Sequence, residues 1–121
     1  MTDQMTQKRE HTIDATGEKL GRFASSIAHI ILGKDQTDFA KNVVAPVNVT
    51  VENVDALDIS NKKKDTKIYD HYSGFHGGRK EYSLQELIAK KGVGEALKVA
   101  VFNMLPNNRL RKARMKNLVI K

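Results

Sequence analysis

The sequence predicts an α/β fold, a three-layer α/β/α sandwich around a small, mostly parallel sheet of about four strands. Three observations lead there. The chain opens strand, helix, strand; short runs rich in β-branched residues alternate with segments of helical period; and no internal repeat is visible. At 121 residues the chain has the size of one compact domain with one core. Residues 11–121 are read as that domain, behind a flexible tail, residues 1–10, that carries few large apolar side chains.

The first strand is expected over residues 11–14, followed by the turn Ala15-Thr16-Gly17 and a helix over residues 19–32. Leu20, Phe23, Ala24, Ile27, Ala28 and Ile31 recur at the spacing of one buried helical face, and Gly33 with Lys34 supplies a stop. Residues 47–51 are β-branched and read as a strand, which Pro46 keeps from extending backwards. Further strands are expected over residues 57–60 and 67–71. Ser83 and Glu86 have capping-box spacing and predict a helix that buries Leu84, Leu87 and Ile88. Gly92 and Gly94 separate it from a helix with Ala96, Leu97, Ala100, Val101, Met104 and Leu105 on its inner face, ended by Pro106. Asn107 or Asn108 caps a last short helix, whose only apolar stripe is Leu110 and Ala113, with Leu118 beyond.

Charge is unevenly distributed. Residues 60–121 hold 15 Lys and Arg against 5 Asp and Glu, whereas residues 1–59 hold 6 against 9. With a sequence pI near 9.7, this predicts a polyanionic partner, because clustered cations gain free energy by displacing counterions from a phosphate backbone. An anionic membrane fits less well, since no basic helix carries an opposite face of large apolar residues. The chain has no cysteine, which excludes disulfides and thiolate zinc sites. The N-terminus lacks the apolar run of a secretory signal, and a cytoplasmic location is the default expectation.

The most informative segment is residues 67–80, KIYDHYSGFHGGRK. Glycines let a main chain approach a ligand and present its N–H groups, while aromatic and imidazole rings can stack on bases or riboses. Lys67, Tyr69, His71, Tyr72, Ser73, Gly74, His76, Gly77, Gly78, Arg79 and Lys80 are therefore candidate RNA-binding residues, with the preceding Asn61, Lys62, Lys63 and Lys64. Arg109, Arg111, Lys112, Arg114 and Lys116 form a second cluster, in which crowded like charges repel unless an anion neutralises them. The bland readings are a surface turn for the loop and a solvated run for the lysines. Enzymatic readings lack support: Gly17 and Gly21 do not make a dinucleotide fingerprint, and no phosphate-binding GxxxxGK[ST] exists. His71, His76 and Asp70 lack a further spaced ligand for a metal. Asp14, Asp55 and Asp58 read as turn and cap residues, and His29 as a polar helix position.

Four segments, IDATGEKLGRFAS, DISNKKKDTKIYDHYSGFHGGRK, SLQELI and NMLPNNRLRKARMKNLVIK, occur in the order and at about the distances seen in bacterial large-subunit ribosomal protein L13, which the chain resembles over residues 11–120. The resemblance implies a non-enzymatic constituent of the large ribosomal subunit, cytoplasmic and without cofactor, metal, membrane or small-molecule substrate. Its implied partners are large-subunit (23S) ribosomal RNA and neighbouring ribosomal proteins, with a part in early subunit assembly. By position, Asn61, Lys62, Lys63, Lys67, Tyr69, His71, Gly74, Gly77 and Gly78 match the family's RNA-facing loop. Met104, Leu105 and Pro106 match its late helix end, and Leu110 its hydrophobic anchor. Several positions depart from it. Tyr72 stands where many relatives have histidine, Pro46-Val47 where Gly-Asp is common, Asn103 where glycine is usual, and Arg111-Lys112 where Gly-Arg is usual. The family's C-terminal extension is not expected after Lys121. Two other readings are a free RNA-binding regulator of messenger RNA and a small hydrolase using His71 and Asp70.

Overall fold

The computed structural model describes residues 9–37 and 41–121. Along the chain run β1 (Arg9–Asp14), α1 (Leu20–Leu32), β2 (Val47–Glu52), a 3-10 turn at Val54–Ala56, α2 (Asn61–Thr66), β3 (Ile68–Tyr72), β4 (Arg79–Ser83), α3 (Leu84–Lys91), α4 (Val93–Met104), α5 (Leu110–Met115) and β5 (Leu118–Ile120). The expected tail at residues 1–10 overlaps β1 at Arg9 and Glu10; residues 1–8 lie outside the described residues.

β2 is the central strand of a parallel sheet ordered β1-β2-β5. Alternation along it buries Val47, Val49 and Val51 on one face and leaves Asn48 and Thr50 half-buried on the other. Both crossovers step in the same direction across the sheet, so right-handed connections carry α1 and α4 to the same face, where they pack together. α1 buries Leu20, Phe23, Ala24, Ile27, Ala28, Ile31 and Leu32 there, and α4 buries Ala96, Leu97 and Val101. The expected α/β sandwich is thus present, with helical cover among the described residues concentrated on that face; Glu10, Thr12, Asp14 and Val119 are exposed on the other.

α1 stops where Gly33 turns left-handed at φ 77°, its N–H bonding back to the carbonyls of His29 and Ile30. A Cβ at Gly33 would lie 2.8 Å from the Ala45 Cβ, so the returning chain packs directly on the end of the helix. Ser83 caps α3 as expected, its Oγ accepting the Glu86 N–H at 3.2 Å. α4 ends before Pro106, but its expected inner residue Met104 is exposed.

The sheet has three strands instead of about four. Asn53 at φ 56° and the 3-10 turn redirect the chain after β2, and only Asp58 pairs, as an isolated parallel bridge to Lys19. The strand expected over residues 67–71 does form, as β3, but it pairs antiparallel with β4 in a separate hairpin. β4, α2 and the three-residue β5 are not in the expectation.

Ligands of parallel α/β sheets bind beyond the carboxyl ends of the strands. Here that edge is occupied by structure. The Asp14 Oδ1 accepts from the Thr16 N–H (2.9 Å), the Thr16 hydroxyl (2.7 Å) and the Asn53 side-chain amide (3.2 Å), bearing out its reading as a turn residue. These donors, the Thr16 hydroxyl first, hold the Asp14 carboxyl below its usual value. A depressed folded-state pKa gives stability that is present above the unfolded-state value and lost as pH falls through the folded one. Asp14→Asn is therefore expected to be less stable than wild type at neutral pH, with the gap closing on acidification, as read from urea midpoints between neutral and acid pH.

Candidate nucleic-acid interface

The β3–β4 hairpin is built by alternation. Register pairs Tyr69 with Tyr82, Asp70 with Glu81, His71 with Lys80 and Tyr72 with Arg79, so Tyr69, His71, Lys80 and Tyr82 share one face and Asp70, Tyr72, Arg79 and Glu81 the other. The Tyr69 and Tyr82 rings stack at 5.6 Å and 23°, and both pack against the core. The Lys67 ammonium sits 5.5 Å from the Tyr69 ring centroid. Burial, with Tyr82 adding to it, pushes the Tyr69 phenol up, so it remains a protonated hydrogen-bond donor at neutral pH. The ring of Tyr69, a candidate for stacking on RNA, thus anchors the hairpin on the core. Arg79 is likewise engaged, to Asp70 at 3.2 Å and Glu81 at 2.8 Å. Asp70 and His71 point to opposite faces, so they do not form the dyad that a hydrolase would need.

At the tip, the Gly78 N–H donates to the Phe75 carbonyl at 2.9 Å, closing a four-residue turn. A Cβ on Gly78 would overlap the Ser73 hydroxyl and lie 2.9 Å from the Phe75 carbonyl oxygen. Gly78 is thus required by the loop's own packing, a structural reason for glycine beside its candidate role as a point of ligand approach. Gly77, at φ 68° with open space around it, keeps that possibility. His71, Ser73, Gly74 and His76 are exposed. Tyr72 is 65% exposed and Phe75 78%. Phe75 is absent from the sequence-based candidates, although its position between two glycines is a usable signal.

The lysine run forms α2 instead of an irregular charged stretch. The Ser60 Oγ accepts the Lys63 N–H at 3.2 Å, and the Thr66 hydroxyl donates to the Lys62 carbonyl at 2.7 Å. Asn61 and Lys62 are exposed, Lys63 and Lys64 half-buried. α2 packs on α3 and β4, which brings the lysines beside the hairpin. Asn61 and Lys64 line a groove of about 490 Å³ against Gln85 and Ile88. A second groove, of about 310 Å³, is lined by Lys80, Lys90 and Lys91 together with Glu81 and Glu86. Lys90 and Lys91 are further candidates that the sequence analysis omits; in sequence they read only as cations at a helix C-terminus.

The second cluster resolves into different jobs. The Asn108 Oδ1 accepts the Leu110 N–H at 3.0 Å, as one of the two expected caps. Arg109, Lys112 and Lys116 are exposed, at the spacing of one helical stripe. The Arg111 guanidinium lies 3.8 Å from the Phe102 ring centroid. Arg114 is 1% exposed, and its Nη2 donates to the Lys41 carbonyl at 3.3 Å and the Val43 carbonyl at 3.5 Å. Its assignment as an RNA-binding side chain is corrected: one turn after half-buried Leu110, it faces inward and holds residues 41–43. Among the described residues no cluster of three His, Asp or Glu side chains could hold a metal, and no helix is long and apolar enough to cross a membrane.

The profile of the family described as Ribosomal protein L13 matches residues 8–120. The chain belongs to that family. Relatives named large ribosomal subunit protein uL13 include that of Clostridioides difficile, 38% identical over 112 residues, which are 93% of this chain and 78% of the relative. That of Mycoplasma mobile is 37% identical over 115 residues, 95% and 79% of the two chains. That of Nitratidesulfovibrio vulgaris is 39% identical over 108 residues, 89% and 74%. The L13 family is a structural, non-enzymatic component of the ribosome.

On the L13 fold the four resembling segments separate by task. The first runs from β1 into α1 and builds the core; the second runs through α2 and the hairpin and lies largely on the surface; the third caps α3; the fourth carries α5 and β5. Within the fourth, burial predicts opposite phenotypes for neighbouring cations. Arg114→Ala is expected to lower the free energy of unfolding by about 2–4 kcal/mol, through the cavity left by a buried side chain and the lost hold on residues 41–43, with unchanged affinity for RNA per folded molecule. Lys112→Ala is expected to leave the melting curve unchanged. Urea melts of the two variants side by side check both.

Proposed function

We propose that this protein is a structural constituent of the large ribosomal subunit that binds large-subunit (23S) ribosomal RNA and supports early subunit assembly, among neighbouring ribosomal proteins in the cytoplasm. The observation that carries the reading is a set of cations without carboxylate partners among the described residues, Lys62, Lys63, Lys64, Lys80, Lys90 and Lys91, gathered by α2, β4 and α3 around an exposed hairpin. Membership of the L13 family, with relatives named for the large subunit, supports ribosomal RNA as the polyanion that such a surface would meet.

The mechanism follows from the groups. Lysine ammoniums neutralise phosphates where RNA segments crowd, and each neutralised phosphate releases condensed counterions. Hairpin backbone and hydroxyl groups bond phosphates and 2′-hydroxyls, which recognises folded shape in preference to sequence. Arg109, Lys112 and Lys116 extend the same chemistry along α5.

Affinity for 23S RNA transcripts is expected to fall steeply with potassium chloride. Changing Lys80, Lys90 and Lys91 together to Gln should flatten the log–log slope by about 0.7–0.9 for each phosphate that is no longer neutralised. Filter binding across a salt series measures this, and an unchanged slope would remove these lysines from the binding surface. Co-sedimentation with large subunits in high salt separates a ribosomal constituent from a free regulator.

A further inference from the structure

The hairpin tip poses a problem for a purely electrostatic interface. Residues 72–78, YSGFHGG, carry no formal charge with histidine neutral, and the nearest arginine, Arg79, already pairs with Asp70 and Glu81. A loop that projects into RNA from such a position contributes little phosphate neutralisation. What it presents is a phenyl ring, 78% exposed, on the first residue of a turn closed by the Gly78 N–H on the Phe75 carbonyl.

From this geometry we infer that Phe75 stacks on an unpaired nucleobase, so that the tip contributes base stacking while α2 and α3 contribute charge. The inference rests on the RNA-binding reading above and adds the contact class and the residue. Three features support it. The ring is held out of the protein by a turn that Gly78 alone permits, because a Cβ there would meet Ser73 and Phe75; the ordering cost of the loop is largely met before binding. Its neighbours are glycine, serine and histidine, small or polar residues that offer hydrogen-bonding groups at the edge of a base. A protein partner would call for contiguous apolar surface. The exposed Ile68 and Tyr72 do not supply it, because the Asp70–Arg79 ion pair lies between them on that face of the hairpin.

The test uses the full chain and 23S RNA transcripts. Phe75→Ala should bind roughly 5- to 150-fold more weakly, the range for removing one base–aromatic stack. Its salt slope should equal that of wild type, unlike the lysine variants, and its melting curve should be unchanged. Phe75→Leu should behave like Phe75→Ala, and Phe75→Tyr like wild type. The chain has no tryptophan, so Phe75→Trp places a single indole at the tip, and its emission should be quenched when RNA binds. Wild-type affinity for Phe75→Ala, full rescue by leucine, or unquenched indole emission in a complex that has formed would each overturn the inference while leaving RNA binding intact. So would a defect that shows only when other ribosomal proteins are present, because the ring would then dock on protein. Wild type that fails to bind the transcripts at all would overturn the RNA-binding reading itself.

Discussion

A parallel strand pair cannot be closed by a tight turn, and the pairing of β1 with β2 forces the chain to travel back along the sheet before the second strand can start. α1 makes that journey and buries its apolar face over Val47, Val49 and Val51. The link from α1 into β2 then has to be held down, and two unrelated-looking residues do that. Gly33 lacks the Cβ that would strike Ala45, and Arg114, from the far end of the chain, takes the Lys41 and Val43 carbonyls. A buried cation in a basic helix is thus a consequence of the first crossover. Its guanidinium suits the task because several fixed donors can serve more than one carbonyl from one side chain.

The same economy of connection explains why the candidate interface is a separate unit. Once the parallel sheet is complete with β5, the chain between β2 and α4 is free to project. A two-stranded hairpin by itself is marginal in water. The Tyr69–Tyr82 stack, packed against the core, and the Leu84 N–H bonded to the Lys67 carbonyl at 2.9 Å fix its base. α2 and α3 flank it. Residues beyond this base are therefore released from packing duties, which is why exposure rises towards the tip.

How much of this is legible in the sequence depends on whether a residue's role is set by period or by phase. α1 is readable because six apolar side chains recur at helical spacing, and the α3 cap because Ser83 and Glu86 satisfy a local rule. β5 is not, since three residues show no alternation worth the name; it is a strand because Val49 and Val51 offer it an edge. The lysine run reads as solvated charge, and its helix emerges only once Ser60 supplies a cap and α3 a surface. The candidate site is legible as a region and not residue by residue. Nothing in the spacing of Arg109, Arg111, Lys112, Arg114 and Lys116 says which of them turns inward, because that depends on where α4 and residues 41–43 lie. Tyr69 and Tyr72 look alike in sequence, yet strand parity sends the first to the core and the second to solvent. Phe75 is harder still, because an apolar residue in a polar loop carries no periodic signal.

Sorting the cations by geometry changes what the surface can recognise. The arginines of the hairpin and α5 are largely committed: Arg79 to two carboxylates, Arg111 to a phenyl ring, Arg114 to backbone carbonyls. Around the hairpin the cations left without carboxylate partners among the described residues are lysines. An ammonium is a compact point charge that neutralises a phosphate without imposing the planar, bidentate geometry through which arginine reads a guanine edge. A lysine surface of this kind supplies affinity and orientation but little discrimination among sequences. In the proposed RNA complex, discrimination falls to groups whose contacts depend on the RNA's local shape, and the candidates for that are the rings and backbone at the hairpin tip, where formal charge is absent.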